Sequence, residues 1–300
     1  MNAAAKPVMS PAEKTAIGEL RKKPLVAWPT VILLWSSQIA VGLVWYGVLT
    51  GQLSLWLGCV INVVAYYALF TPAHDSMHKA VSRKGWINDL VLYQTSFGYL
   101  PFTSGKLLGL MHMQHHRFAN DRLDPDHDLV KHWSNALFLW FFWDFRYLYV
   151  YLKNRADYPP TNVARAVIEL IVGLSIMGVV AWYFPIETLV LWFIPTRIMV
   201  WLICLVFMYL PHVPHTVKDS EAPYQATLMR EGWGWLLTPL MMYQNYHLVH
   251  HLYPTVPFYR YKKVWDAAGT FHESQRPAKV KAFGLQPYNL ASLSSKTGHQ

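Results

Sequence analysis

The apolar positions along this chain fall into four long runs that are continuous rather than periodic. They cover Trp28–Val48, about Gln52–Phe70, Val163–Phe184 and about Thr188–Leu210. A helix needs roughly 20 apolar residues to cross about 30 Å of hydrocarbon, so each run predicts a membrane-spanning helix. Only Leu49–Gly51 separates the first pair and only Pro185–Glu187 the second, which predicts two tight helical hairpins. Two weaker stretches do not fit a straight span. Leu90–Leu110 contains Gly98, Pro101 and Gly105, and proline breaks a helix interior by removing a donor. Ala136–Leu152 carries Asp144 and Arg146 among aromatics. Both predict interfacial or re-entrant segments; the alternative is two further spans. The aromatic stripe Leu137–Tyr151 predicts a membrane-interface belt rather than a cofactor site.

Composition agrees with the pattern. The 300 residues are 53% hydrophobic and 14% charged, against about 25% charged in soluble domains. So much aromatic and aliphatic surface excludes a disordered chain. Two cysteines, Cys59 and Cys204, lie in apolar runs and predict small core residues, not a disulfide framework. The net charge of +9 raises a nucleic-acid partner, but the distribution of charge argues against it. Of 26 Lys and Arg, all but Arg197 lie in the N-terminal arm, between spans two and three, at their edges, or after span four. The positive-inside rule then places both termini and the long middle segment in the cytosol, in a cell inner or plasma membrane. Arg197, inside span four, has to face protein or a polar cavity. A pairing with a carbonyl or carboxylate is at least as well founded there as a catalytic role. Arg21, Lys22 and Lys23 precede a run too long for a signal-peptide core, so the arm is not a secretory signal. The predicted layout is an arm over 1–27, a membrane domain over 28–271 and a patternless polar tail over 272–300.

The chemistry lies in the histidines. Eight of the 14 fall in three sets: His74 and His78 in H-D-S-M-H, His112, His115 and His116 in H-M-Q-H-H, and His247, His250 and His251 in H-L-V-H-H. His212 and His215 follow span four in L-P-H-V-P-H. On a helix, positions i, i+3 and i+4 share a face, so each set aims its imidazoles one way, toward the same predicted membrane face. That many converging neutral rings call for more than one metal ion, because one ion takes at most about six ligands. Imidazole suits iron, copper or zinc; two irons give redox chemistry on oxygen and two zincs do not. His132, His272 and His299 fit no set and predict surface residues.

These three boxes resemble the membrane fatty acid desaturase superfamily over about residues 30–265. H-D-S-M-H, the stretch Asp124-Pro125-Asp126-His127 and Leu210-Pro211-His212 are similar to its carotenoid hydroxylase and ketolase branch; Tyr253-Pro254-Thr255-Val256-Pro257 is shared more widely. The resemblance implies an all-α integral membrane protein with four spans in two hairpins, a cytosolic histidine-rich di-iron cap and one or two interfacial helices. It implies two non-haem irons, O2 as co-substrate, and His74, His78, His112, His115, His116, His247, His250 and His251 as ligands. His212 is the ninth candidate and His215 the competing one. Asp75, Asp124 and Asp126 are candidates to accept the imidazoles' outer N–H groups, with capping or a turn as their plain alternative. Asn245 is a candidate to hold a water, and His127 stands at most behind the ligands. No residue beyond the ligands is assigned a catalytic part. The expected activity is hydroxylation of an apolar, carotenoid-like lipid. An acyl-lipid desaturase with the same site, and a zinc hydrolase or metal-binding receptor in the membrane, are the other readings. The chain has no haem-binding, iron–sulfur or dinucleotide motif of its own, so a ferredoxin or cytochrome b5-like donor is implied. Arg260, Lys262 and Lys263 offer it a basic face, or contact lipid headgroups.

Overall fold

A computed structural model describes residues 7–100 and 102–290. His299 and Pro101 lie outside them. The main helices are α1 (Pro11–Arg21), α2 (Trp28–Leu49), α3 (Leu55–Met77), α4 (Gly85–Tyr99), α5 (Gly105–Phe118), α6 (His127–Val130), α7 (Trp143–Lys153), α8 (Val163–Tyr183) and α9 (Pro185–Tyr209). Four of them, α2, α3, α8 and α9, are long and apolar enough to cross a membrane. The architecture is the all-α membrane arrangement expected, with two adjustments. The second span does not stop at Phe70. It continues to Met77, so the first histidine box lies on the last turn of a span and not after it. The fourth starts at Pro185, leaving Phe184 as the corner between α8 and α9.

The weaker apolar stretches supply no fifth span among the described residues. Leu90–Leu110 divides into parts of α4 and α5, and Ala136–Leu152 into two short 3-10 turns and α7. The aromatic stripe is only half a belt. Leu137, Phe138, Phe145 and Tyr149 are exposed, whereas Trp140, Trp143 and Tyr147 are fully buried, the last two beside the histidines. Cys59 and Cys204 are buried, unpaired thiols.

α3 and α9 form the centre of the bundle, and α8 has the most exposed span. α9 is not regular. Pro195 has no N–H to give the carbonyl four residues earlier, that of Leu191, and the helix widens into a π turn over Leu189–Phe193. Asn62 Nδ2 and Tyr66 OH, one turn apart on α3, donate to that carbonyl at 2.7 and 3.0 Å. A freed carbonyl in lipid costs several kcal/mol unless a neighbouring helix satisfies it, so this contact fixes the register of α9 on α3. A second π turn covers Cys204–Tyr209. Arg197 resolves as a structural cation. Its guanidinium donates to both oxygens of Asp144, at 2.7 and 2.9 Å, and to the carbonyl of Phe141.

The two ends of the chain are not appendages. α1 opens with a capping box between Ser10 and Glu13 and buries Ile17 against the segment that follows the third box. Arg260 donates to the carbonyls of Leu20 and Lys22, orphaned at the end of α1, so it is committed to this joint rather than to a donor face. At the other end β1 (Met229–Glu231) pairs in parallel with β2 (Lys279–Lys281), Arg230 opposite Val280. The region after residue 271 therefore has a pattern that its polarity concealed. His272, expected on the surface, is buried, stacked 5.0 Å from Trp265 and hydrogen-bonded to the Tyr224 hydroxyl. His132 is exposed as expected.

Candidate metal centre

Three elements bring the boxes together. The last turn of α3 carries His74, with His78 at its C-cap; α5 carries His112, His115 and His116; the short helix His247–Leu252 carries the third box. Nitrogen atoms of His74, His78, His112 and His250 lie within 4.8 Å of one another, and so do those of His115, His212, His247 and His251. His116 stands between the two groups, its Nε2 2.8 Å from that of His250 and its ring centroid 4.1 Å from that of His251. His212 is thus inside the second group. His215 is not: it is buried beside it, stacked 6.3 Å from His212 and 5.3 Å from Tyr209, with neither nitrogen hydrogen-bonded.

The outer ring nitrogens have specific partners. His115 Nδ1 donates to Asp124 Oδ1 at 3.0 Å, and His247 Nδ1 to Gln244 Oε1 at 2.5 Å. His250 Nδ1 pairs with the Tyr261 hydroxyl at 2.9 Å. A proton held on Nδ1 leaves the Nε2 lone pair for a metal, which is how such partners set the tautomer. Gln244 and Tyr261 escaped the sequence reading, although Gln244 stands one helical turn before His247. The residues expected behind the ligands differ among themselves. Asp124 orients His115 and also accepts the backbone N–H of Asn120 and Asp126, so it closes the D-P-D turn as well. Asp126 stands 3.9 Å from His115 Nδ1 and is held by Trp143 Nε1 and Tyr147 OH. Asp75 takes no imidazole N–H. It accepts from Thr30 Oγ1 at 2.8 Å and from the Phe258 N–H at 3.2 Å, tying α2, α3 and the stretch after the third box together. Asn245 Nδ2 donates to Thr238, and its buried Oδ1 has no partner. His127 is half-buried, with Nδ1 unpartnered.

This donor set fits metal ions. Nε2 atoms face one another at 2.7 Å between His78 and His112 and at 3.0 Å between His247 and both His212 and His251. Both nitrogens of His74 are buried without a hydrogen bond. Burial, reinforced by neighbouring imidazoles, holds His78, His112, His116, His212, His247, His250 and His251 well below the ordinary imidazole value. Neutral rings with converging lone pairs are unfavourable neighbours until a cation lies between them. At His115 burial pulls the same way, but Asp124 and Asp126 outweigh it and lift the ring to about 8. Beside the histidines is a narrow cavity whose apolar wall is Phe70, Met77, Leu108, Trp143, Phe207 and Met208.

Four helices able to span a membrane, with two histidine groups gathered at the end of α3, define a polytopic membrane protein with room for a dinuclear metal centre. The sequence profile of the fatty acid desaturase family matches residues 50–278, and the chain belongs to that family. Its members are di-iron oxidoreductases that act on lipids in membranes with external electron donors. No curated protein matches the chain.

Proposed function

We propose that the protein is a membrane-bound non-haem di-iron oxygenase that hydroxylates an apolar, carotenoid-like lipid. It uses O2 and electrons from a ferredoxin or cytochrome b5-like donor on the cytosolic side. The observation that carries this reading is the pair of four-histidine groups, with His116 between them, set against an apolar cavity. His74, His78, His112 and His250 hold one iron, and His115, His212, His247 and His251 the other. Two irons held there supply O2 activation for attack on an unactivated C–H bond. The chain's own residues do the rest. Asp124 and Gln244 fix the tautomers of His115 and His247, and Tyr261 orients the ring of His250. Trp143, Tyr147 and the apolar wall keep water out and hold the target carbon still. Hydroxylation is favoured over desaturation by the H-D-S-M-H, D-P-D-H and L-P-H stretches, the last of which delivers His212 to the second group. The exposed Lys262 and Lys263 lie on the helix whose Tyr261 touches His250, a suitable landing face for an acidic donor.

Expression in cells that make β-carotene, with pigments and membrane lipids profiled together, tests the reading. A pigment heavier by one oxygen is the expected product. An acyl chain lighter by two hydrogens, with unchanged pigment, moves the protein to the desaturases. Two zincs per purified chain, with full activity in the absence of O2, overturns the oxygenase reading altogether.

A further inference from the structure

A groove of about 800 Å³ runs along the outside of the bundle, distinct in its lining from the narrow cavity at the histidines. One wall is Val63, Val64 and Tyr67 of α3 with Leu205 and Val206 of α9; the other is the helix Gly234–Leu240 and residues 282–285. Two helices long and apolar enough to cross a membrane form the first wall, so that wall suits a hydrocarbon environment. Its one charged lining residue is spent: Arg230 donates to the carbonyls of Lys281, Ala282 and Gly284, moulding the far wall. The outer lip is apolar and uncovered. Trp233, Trp235, Leu240, Phe283 and Leu285 are all exposed, with Trp233 packed on Trp235 and Phe283. Such a patch is costly in water and ordinary at a membrane interface.

A single turn of α9 separates this groove from the histidines. The π turn Cys204–Tyr209 places Leu205 and Val206 on the groove side, and Phe207 and Met208 on the cavity side. The Phe207 ring lies 5.7 Å from His74, 4.9 Å from Phe70 and 6.3 Å from Tyr67, which itself lines the groove. The Tyr67 hydroxyl donates to the carbonyl of Leu240, fastening the lip helix to α3.

We propose that this groove is the bilayer-side port that takes up the extended apolar chain of a membrane lipid. Phe207 and Tyr67 form the closed gate between that chain and the metal cavity. The spanning-helix wall, the apolar lining and the shared Phe207 partition point to a hydrocarbon chain and not a protein segment as the occupant. The proposal rests on the lipid-oxygenase reading for its purpose, but its test does not.

The test uses full-length protein in phosphatidylcholine vesicles that carry a stearoyl chain bearing a diazirine, with photo-adducts mapped by mass spectrometry. Adducts on residues 202–210 and 236–242 are expected, saturable by excess unlabelled chain, whereas those on the exposed α8 residues Ile168 and Ile171 are not saturable. Val206→Trp fills the groove, and the clash of a bulky ring lowers groove labelling about tenfold while α8 labelling is unchanged. Leu237→Trp does the same from the opposite wall if the first variant folds poorly, metal content serving as the check on folding. Groove labelling that is no more saturable than that of α8, or that persists in the filled variants, overturns the port. Labelling needs neither metal nor turnover. A chain bound here and never oxidised would count against the oxygenase reading alone, and turnover without groove labelling against the port alone.

Discussion

His212 and His215 stand three positions apart in one motif, and their surroundings separate them. His212 shares the second group with His115, His247 and His251; His215 stacks behind it and against Tyr209. Spacing could not decide between them, because the loop after α9 is irregular and residue spacing there fixes no common face. The boxes were legible because they lie on helices, where spacing does fix direction. Asp124 was legible from the D-P-D turn that follows the second box, but Tyr261 reaches His250 from a different helix and leaves no local signal. Removal of one ligand from one group gives a direct test. In purified protein His212→Ala and His115→Ala should each lower bound metal from about two ions per chain to about one and abolish turnover, by metal analysis and product assay. His215→Ala should retain both ions. Equal metal loss in His215→Ala would reassign the ninth ligand.

At the scale of the helix, α9 shows what hydropathy can and cannot convey. Its length and apolar character were plain, and Arg197 already demanded a partner. That the partner would be Asp144, from a stretch first read as interfacial, depends on how α7 packs beneath the span. Nor could the sequence reveal that Pro195 releases the Leu191 carbonyl to Asn62 and Tyr66, since those donors are more than a hundred residues away. The Arg197–Asp144 pair is almost fully enclosed, with side chains 6% and 0% exposed. Breaking a buried pair from one side leaves an uncompensated charge and costs about 3–5 kcal/mol, whereas replacing both partners by apolar residues is close to neutral. Asp144→Leu alone should therefore sharply lower the thermal midpoint in detergent. The double variant Asp144→Leu/Arg197→Met should recover most of it. A double variant as unstable as the single would show that the charges themselves, and not their mutual compensation, hold α7 to α9.

Across the whole molecule, the hairpins and the charge asymmetry were legible from the sequence, whereas the joining of the two ends was not. Polar termini resemble tails in any hydropathy reading, yet Ile17, His272 and Val280 are buried and β2 completes a two-stranded ladder. Long-range docking of short elements is set by a few side chains, such as Arg260 on the end of α1, too few to leave a periodic trace. The charge asymmetry gives a topology that can be measured. Cys59 and Cys204 are buried, so an introduced thiol reports on its own position. In intact cells a membrane-impermeant maleimide should label Thr50→Cys, in the α2–α3 turn, and reach Lys263→Cys only after the membrane is opened. The opposite pattern would invert the protein.

The distribution of histidines between the two groups also sets an order of manufacture. His74, His78 and His112 emerge early, but their fourth companion is His250; His115 waits for His212, His247 and His251. Neither group is complete until the chain has been made as far as His250 and His251 and that segment has folded back onto α3 and α5. Metal capture is coupled to folding wherever the site does not pre-exist, so here loading comes as one of the final steps of biogenesis. A chain that stalls or is clipped before residue 247 enters the bilayer with all its spans and no complete centre. Incomplete copies would therefore lack the full set of histidines in both groups.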